Sequence, residues 1–283
     1  MEDKTSFGYL FLRSMALFKE HFWFLFPVLF FFIFLPVTIK ELYDVYNPIN
    51  FEAFIDPLTG SIFWSDFGSF IAVQAGIGIA IGLVAFFGSV SLMYFFIKDC
   101  KVKSVSDLFS FASSFYFRAL GLAILVALLM IPLFLALIIP AIIFSVYWMF
   151  SQYFLIDEDE KIINSLRKSY HLVKGKWWFV AVRMMLLFLI FIGASIAVSL
   201  LSFVIIFIVQ GMSVFTEGLS QNSVAFSSIV DNLFYIVMSL FSLIFITQFY
   251  KGLKEEKESM NAKPEVNETK ESVKAKPSAQ KKS

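Results

Sequence analysis

The sequence is poor in charged residues. Asp, Glu, Lys and Arg make up 16% of its 283 residues, whereas soluble globular proteins contain about 25%. Hydrophobic residues make up 59% of the chain, and 38 residues are Phe. A soluble protein of this length could not bury so much apolar surface. The composition therefore excludes a soluble enzyme of two ordinary domains and a disordered protein, and it predicts a multi-pass membrane protein.

Cysteine is nearly absent, because Cys100 is the one cysteine of the chain. This excludes an intrachain disulfide and zinc sites built on several cysteines. We interpret Cys100 as a plain reduced thiol, with palmitoylation or redox sensing as the alternatives.

A small-residue cleavage site is also lacking, since the first apolar run ends in Leu-Pro-Val-Thr-Ile-Lys. This predicts a retained first span rather than a signal peptide.

The long apolar runs predict six spans, because a membrane helix needs about 20 mostly apolar residues. The run 119–156 carries no charge, and as one helix of ~1.5 Å per residue it would be about 57 Å long. That is more than one hydrocarbon core of about 30 Å. Pro140 offers a break, because it disfavours helix at Ile139 and has no N–H to donate. The predicted spans are 22–39, 70–97, 119–136, 140–156, 180–209 and 229–250.

The charged residues support this count. With six spans, all of the 23 Lys and Arg residues except Lys40 fall on one side, and positive residues collect on the cytoplasmic side. A five-span chain would place the later basic clusters outside. We therefore predict six spans with both termini in the cytoplasm.

The composition also predicts two regions: a six-helix membrane domain at 1–250 and a disordered cytoplasmic tail at 251–283. The tail has no aromatic residue and is rich in Lys, Glu, Ser and Ala, so it cannot bury a core. Alternatively, 251–259 continues the sixth helix.

An internal repeat relates two segments. Residues 14–24 and 169–179 share Ser, Leu, Lys, Trp and Phe at a constant offset of 155. Each segment precedes a span and is typical of a helix lying at the membrane interface, and 104–117 is a candidate third copy. The fold is thus predicted as all-α, with three two-span hairpins and cytoplasmic interfacial helices. The predicted aromatic anchors at the interface are Trp23, Trp177 and Trp178.

Residues 139–178 carry a family resemblance. The segments 139–141 (Ile-Pro-Ala), 154–158 (Phe-Leu-Ile-Asp-Glu) and 165–178 resemble a broad group of bacterial six-span membrane proteins of unknown function. That group includes the membrane domain attached to some glycerophosphodiester phosphodiesterases and the YciC-like inner-membrane proteins. Ala141 stands where the family usually has Gly. The resemblance implies a six-helix integral membrane protein of the bacterial inner membrane, and it brings no catalytic residues.

Several motifs have a structural and a functional interpretation. The acidic run 157–160 is predicted to start a helix, with a cation site as the alternative. Gly78 and Gly82 form a G-x-x-x-G motif, which predicts helix packing within the chain or between subunits. His21 and His171 lack a second ligand nearby in sequence, so neither is predicted to bind metal. Serines on the fifth and sixth spans predict packing, with a polar pathway as the alternative: Ser195, Ser199, Ser202, Ser239 and Ser242.

The predicted function follows mainly from the absence of ionisable residues deep in the predicted spans. No Asp, Glu, Lys, Arg or His lies deep in a predicted span, and Asp231 and Arg183 lie near span ends. Proton-coupled pumps and intramembrane hydrolases usually need such groups. We therefore predict no enzyme activity, no catalytic residue, no metal or cofactor, and no nucleic-acid partner. The predicted role is structural or partner-binding in the cell envelope, among lipids and other membrane proteins or a second copy. The alternative is a transporter or channel for a lipid or an uncharged solute.

Overall fold

A computed structural model describes residues 4–48, 54–55, 62–102, 104–136 and 138–261. The described residues form helices and no strand, which confirms the all-α prediction. A π turn at Phe30–Phe34 connects the first two α-helices. The α-helices are α1 (Phe7–Leu29), α2 (Leu35–Tyr46), α3 (Trp64–Ile97), α4 (Val105–Ala136), α5 (Ile138–Trp148), α6 (Ser151–Asp157), α7 (Ile162–Val173), α8 (Trp177–Gln210), α9 (Ser213–Thr216) and α10 (Gln221–Asn261).

Six helical segments of the described chain are long and apolar enough to cross a membrane, as predicted. The chain is therefore a multi-pass membrane protein. The break predicted in the run 119–156 is present, because α4 ends at Ala136 and α5 begins at Ile138. Pro140 lies in the first turn of α5, where a missing N–H costs no helical hydrogen bond. The six segments are Phe7–Tyr46, Asp66–Ile97, Val105–Leu135, Ile138–Asp157, Trp177–Gln210 and Gln221–Met260.

One of the three segments that were predicted as short interfacial helices forms a separate helix. The amphipathic segment 162–173 is a separate helix, α7. Segment 14–24, in contrast, lies in the uninterrupted helix α1, and 104–117 falls almost wholly in α4. Gly175 explains the difference, because its φ of +86° turns the chain between α7 and α8, a conformation that favours glycine. The first copy of the repeat has Glu20 at that position, so its helix continues.

Pro36 accounts for the π turn. Proline has no N–H for the carbonyl of Phe32, four residues earlier, and its ring crowds that oxygen. The helix widens here, and the N–H of Leu35 donates to the carbonyl of Phe30, five residues back. The turn places Phe32 against α3, where a Cβ built on Gly88 would lie 2.9 Å from the Phe32 Cβ.

The first and last helices form much of the core. The ring of Phe7 lies 5.3 Å from that of Phe245, and the ring of Phe11 lies 5.2 Å from that of Phe241. The largest fully buried side chains include Tyr250, the final residue of the predicted sixth span. The half of the bundle near the chain ends is thus densely packed. Much of α3 before Val84 and most of α8 stay exposed, which leaves the other half open.

Ion pairs collect at the end of the bundle where both described chain ends lie, which we call the basic end. Four pairs connect α10 with the N-terminus, with the residues after α3 and with the N-cap of α8, and connect α4 with the segment between α6 and α7. This is the arrangement that six alternating spans require. The pairs are Lys4–Glu255 (2.7 Å), Lys251–Asp99 (2.5 Å), Arg118–Asp159 (2.6 Å) and Lys176–Glu256 (2.5 Å).

The boundary predicted at residue 250 needs correction. Helix α10 continues to Asn261, and this extension packs on the protein. Leu253 is buried, and a Cβ on Gly252 would lie 3.1 Å from Cγ2 of Thr5. The extension is therefore part of the helical bundle, as the alternative for 251–259 proposes. Residues 262–283 of the predicted disordered tail lie outside the described residues.

Candidate functional site

A cavity of about 810 Å³ with a largely apolar lining lies between α2, α8 and α10, and Tyr153 of α6 also lines it. It unites four of the five serines singled out in the sequence: Ser195, Ser199, Ser239 and Ser242. Ser202, the fifth, is buried and does not line it. The remaining lining residues are Glu41, Tyr153, Phe191, Ser228, Asp231, Asn232, Phe234, Tyr235, Met238, Leu243 and Ile246.

The serines give the cavity an uncharged, weakly polar wall. Ser195 Oγ donates to the carbonyl of Ile192, and Ser239 Oγ donates to the carbonyl of Ile236, both at 2.9 Å. Such bonds to the preceding helical turn satisfy the hydroxyl protons without a partner from another helix. Each oxygen keeps acceptor capacity. The wall can therefore accept hydrogen bonds from a ligand without presenting a charge to it.

The acidic groups of the cavity lie toward the end away from the basic end. Asn232 is 8% exposed, and its Nδ2 donates to Oε2 of Glu41 at 2.7 Å. Asp231, the neighbouring residue on α10, also lines the cavity. Glu41 lies beyond the first predicted span, 22–39, but that span is too short because α2 continues to Tyr46. The spacing of Lys40 and Asp44, an i,i+4 ion pair of 2.5 Å, was the available signal for this helix.

The cavity is elongated and open at its side. Its lining on α10 runs from Ser228 to Ile246, which at ~1.5 Å per residue is roughly 27 Å. Ser199 and Asp231 are exposed on its margin. Tyr153, in contrast, is 4% exposed and lies toward the densely packed half. A molecule could therefore enter laterally, from the region that lipid occupies.

The acidic run 157–160 lies at the basic end and forms a salt-bridge network. Lys254 Nζ lies 2.6 Å from Asp157 and 2.7 Å from Glu158, and Lys168 pairs with both Glu158 and Glu160. Burial alone would raise the pKa of Glu158, but the hydrogen bonds from Lys168 and Lys254 outweigh it and lower that pKa. These carboxylates are thus neutralised by lysines. Among the described residues, no group of His, Cys, Asp or Glu could hold a metal ion.

The helix start predicted for this run is wrong in position. Asp157 is the last residue of α6, and α7 begins at Ile162, with Lys161 as its N-cap. The positive φ of Asp159, 54°, separates the two helices. The run is therefore a connection whose charges face the lysines of α7 and α10.

The glycine motif of α3 makes no contact in the described chain. A Cβ built on Gly78 or Gly82 meets no atom within 4 Å, so the predicted packing within the chain is absent from the described residues. Packing between subunits stays a prediction. The glycine of this helix that does pack is Gly88, which the motif did not identify.

The predicted tryptophan anchors differ in their surroundings. Trp23 is 78% exposed and Trp178 is 75% exposed, and they occupy matching positions of the repeat. Trp177 Nε1 instead donates to the carbonyl of Ile143 at 3.2 Å. It therefore also attaches the start of α8 to α5.

The buried positions of the repeat match as well. Ser14 and Ser169 are both fully buried. Ser169 Oγ donates to the carbonyl of Tyr147 at 2.6 Å and accepts from the N–H of Phe150 at 3.2 Å. It thereby stabilises the break between α5 and α6. The serines at matching positions of the two repeat copies are therefore both buried, although the chain around each serine differs.

The two histidines and the cysteine lie away from the cavity. The His21 ring packs edge-on against Phe95 at 5.3 Å, and the His171 ring packs against Tyr170 at 5.7 Å. Cys100 is half-buried after the end of α3, and burial raises the pKa of its thiol to about 11. This microenvironment suits an unreactive thiol.

Comparison with known proteins returns no match among family models, curated proteins or solved structures. The resemblance of 139–178 to the YciC-like proteins and related membrane domains therefore stays a prediction.

Proposed function

We propose that the protein is a non-catalytic membrane protein that binds an amphipathic lipid in the cavity between α2, α8 and α10. One observation supports this above all: a cavity of about 810 Å³ lies open at its side and has a largely apolar lining with serine hydroxyls, and its acidic groups lie toward one end. The apolar part, near Phe191 and Ile246, suits an acyl chain. The end near Glu41 and Asn232 suits a headgroup.

The composition of the lining supports a binding role rather than an enzyme. Among the described residues that line the cavity there is no His, Cys, Lys or Arg. Covalent catalysis by serine needs an adjacent general base, whereas Ser195 and Ser239 donate to backbone carbonyls. The serines therefore serve as polar surface in this proposal. Lipid transport would use the same cavity.

We place the protein in the bacterial inner membrane, with the basic end in the cytoplasm. The positive-inside rule supports this orientation, because the ion pairs of the N-terminus, α3, α8 and α10 all occupy that end. A reporter that is active only in the cytoplasm should be active when it is fused before residue 4 and also when it is fused after residue 261.

A cavity-filling variant tests lipid binding. In Ser242→Phe the ring would occupy the cavity, and native mass spectrometry of the purified protein should show lipid occupancy reduced by about tenfold or more, which corresponds to ~1.4 kcal/mol. The matched control is Ser145→Phe, because Ser145 lies on an exposed face of α5 and its Oγ also donates to the preceding turn. Equal occupancy in both variants would contradict the proposal.

A partner-binding role is the second candidate, supported by the exposure of Gly78 and Gly82. Glycines on an open helix face allow another helix to approach closely. If a second copy binds there, Gly78→Leu with Gly82→Leu should convert a dimer in mild detergent to a monomer. Gly193→Leu is the control, because Gly193 is an equally open glycine of α8. A wild-type monomer would remove this candidate.

A further inference from the structure

The headgroup end of the cavity has a one-sided charge. Glu41 and Asp231 are the ionisable acids of the lining, and the described lining contains no basic residue. The nearest basic residue in sequence, Lys40, is paired with Asp44 at 2.5 Å. A ligand group at this end therefore meets two negative charges that no lysine of the lining neutralises.

A hydrogen bond from Asn232 fixes the carboxylate of Glu41 in a position where it can bind a cationic group. Asn232, more than nine-tenths buried, donates to one oxygen of the carboxylate at 2.7 Å. An ionised carboxylate has about four acceptor sites, so this bond fixes the group and leaves acceptor capacity for a ligand. Asn232 itself lines the cavity, which places the fixed carboxylate at the wall rather than in bulk solvent.

Asp231 lies near the end of the sixth predicted span, at the cavity margin. It lies ten residues into α10, roughly 15 Å from the start of that helix, within a segment apolar enough to span a membrane. Its side chain is exposed at the open margin of the cavity. A carboxylate near the end of a span reaches the polar interface, where it is accessible to a cationic group of a ligand bound in the cavity.

We propose that the ligand is a lipid whose headgroup carries a protonated primary amine, with the ammonium between Glu41 and Asp231 and the acyl chain along the apolar lining near Phe191 and Ile246. This inference rests on the proposed function. An ammonium has three N–H donors for the carboxylates, and opposite charges attract strongly where water is scarce. A headgroup whose charge is a phosphate alone would be repelled by the same two residues.

Native mass spectrometry with matched lipids tests this inference. The probes share their acyl chains and differ in the headgroup: phosphoethanolamine, phosphocholine, which has no N–H donor, and phosphoglycerol, which is anionic with hydroxyl donors. We expect phosphatidylethanolamine to bind about tenfold tighter than phosphatidylglycerol, with phosphatidylcholine between them. Equal binding of the three, or preferred binding of phosphatidylglycerol, would overturn the inference.

Charge-removing variants locate the selectivity. Glu41→Gln and Asp231→Asn, combined, should keep lipid binding and lose the preference for the amine headgroup. Asp44→Asn is the control, because Asp44 lies on the same helix as Glu41 but pairs with Lys40 outside the cavity. A preference that survives the double variant overturns the inference. If the wild-type protein shows no headgroup preference but its occupancy is still sensitive to Ser242→Phe, only the headgroup assignment is contradicted. Occupancy that is insensitive to Ser242→Phe contradicts the proposed function itself.

Discussion

Gly88 of α3 lies so close to Phe32 of the π turn that a Cβ on the glycine would be 2.9 Å from the phenylalanine Cβ. The Phe32 Cβ is fixed to its backbone and cannot move away as the end of a long side chain could. We therefore expect Gly88→Ala to destabilise the protein by about 1–3 kcal/mol through overpacking, measured as a lower unfolding midpoint in detergent.

The matched control for this variant is Gly82→Ala on the same helix. Its new methyl group would meet no atom within 4 Å, and alanine has the better helix propensity. Its unfolding midpoint should stay equal or rise. Equal losses in the two variants would show that the approach of Gly88 to Phe32 does not limit stability.

Cys100 should react slowly with thiol reagents in the folded protein. Burial raises the pKa of its thiol from 9.0 to about 11, which lowers the thiolate fraction at neutral pH about 100-fold, and the thiolate is the reacting form. We expect labelling at pH 7.5 to be slow until the protein is denatured. Ser114→Cys, at an exposed position of α4, should label rapidly. Equally fast labelling of Cys100 would contradict its burial.

Acid should weaken the contacts of the run 157–160. The pKa of Glu158 is lowered in the folded protein from 4.5 by its lysines, against the opposing effect of burial. A carboxylate with a lowered pKa stabilises the fold above its unfolded pKa, and this contribution is lost as the pH falls through the lower folded pKa. Unfolding midpoints measured from pH 7 to pH 3 should therefore decrease.

A variant of Lys168 tests whether its ion pairs with Glu158 and Glu160 cause this pH effect. The pKa of Lys168 is raised by Glu158 and Glu160, so its contribution is present below 10.5 and is lost as the pH rises through the folded value. Lys168→Met should reduce the acid sensitivity and cost about 1 kcal/mol at neutral pH, a value kept small by partial exposure to solvent. An unchanged acid profile in Lys168→Met would show that other groups govern the transition.

Arg183 should not be replaceable by lysine. Its Nε donates to the carbonyl of Thr5 at 2.7 Å while its guanidinium lies 3.3 Å from the centre of the Phe179 ring. A lysine ammonium cannot stack flat on a ring and donate in this geometry at once. We expect Arg183→Lys to lower the stability by about 1–2 kcal/mol and to expose the N-terminal residues to protease. Arg167→Lys, at an exposed site of α7, should do neither.

The six spans could be predicted because each depends on local composition. Pro140 sufficed to divide the run 119–156, since its effect on the backbone is independent of its neighbours. The length of the first helix could not be predicted in the same way. Charged residues such as Lys40 and Glu41 look like a loop when the only criterion is hydropathy, although an i,i+4 pair can carry a helix beyond the apolar stretch.

The cavity was partly predictable. The spacing of Ser239 and Ser242 on one helix indicated a polar face, and the structure places both at the wall. Tyr153 and Asn232 join the same cavity from distant segments, and no local pattern brings them together. The packing of Gly88 rather than Gly82 depends likewise on which face of α3 meets the π turn, and a glycine spacing does not contain that information.

The pairing of α1 with α10 also constrains how the protein is made. Phe7 and Phe11 pack on Phe245 and Phe241, partners that the ribosome adds more than 200 residues later. Such long-range contacts form late and slowly. During synthesis the first helix therefore lies in the bilayer or in the insertion machinery before Phe7 and Phe11 can pack on their partners. The core between these two helices therefore forms only after the segment that carries Phe241 and Phe245 has been inserted.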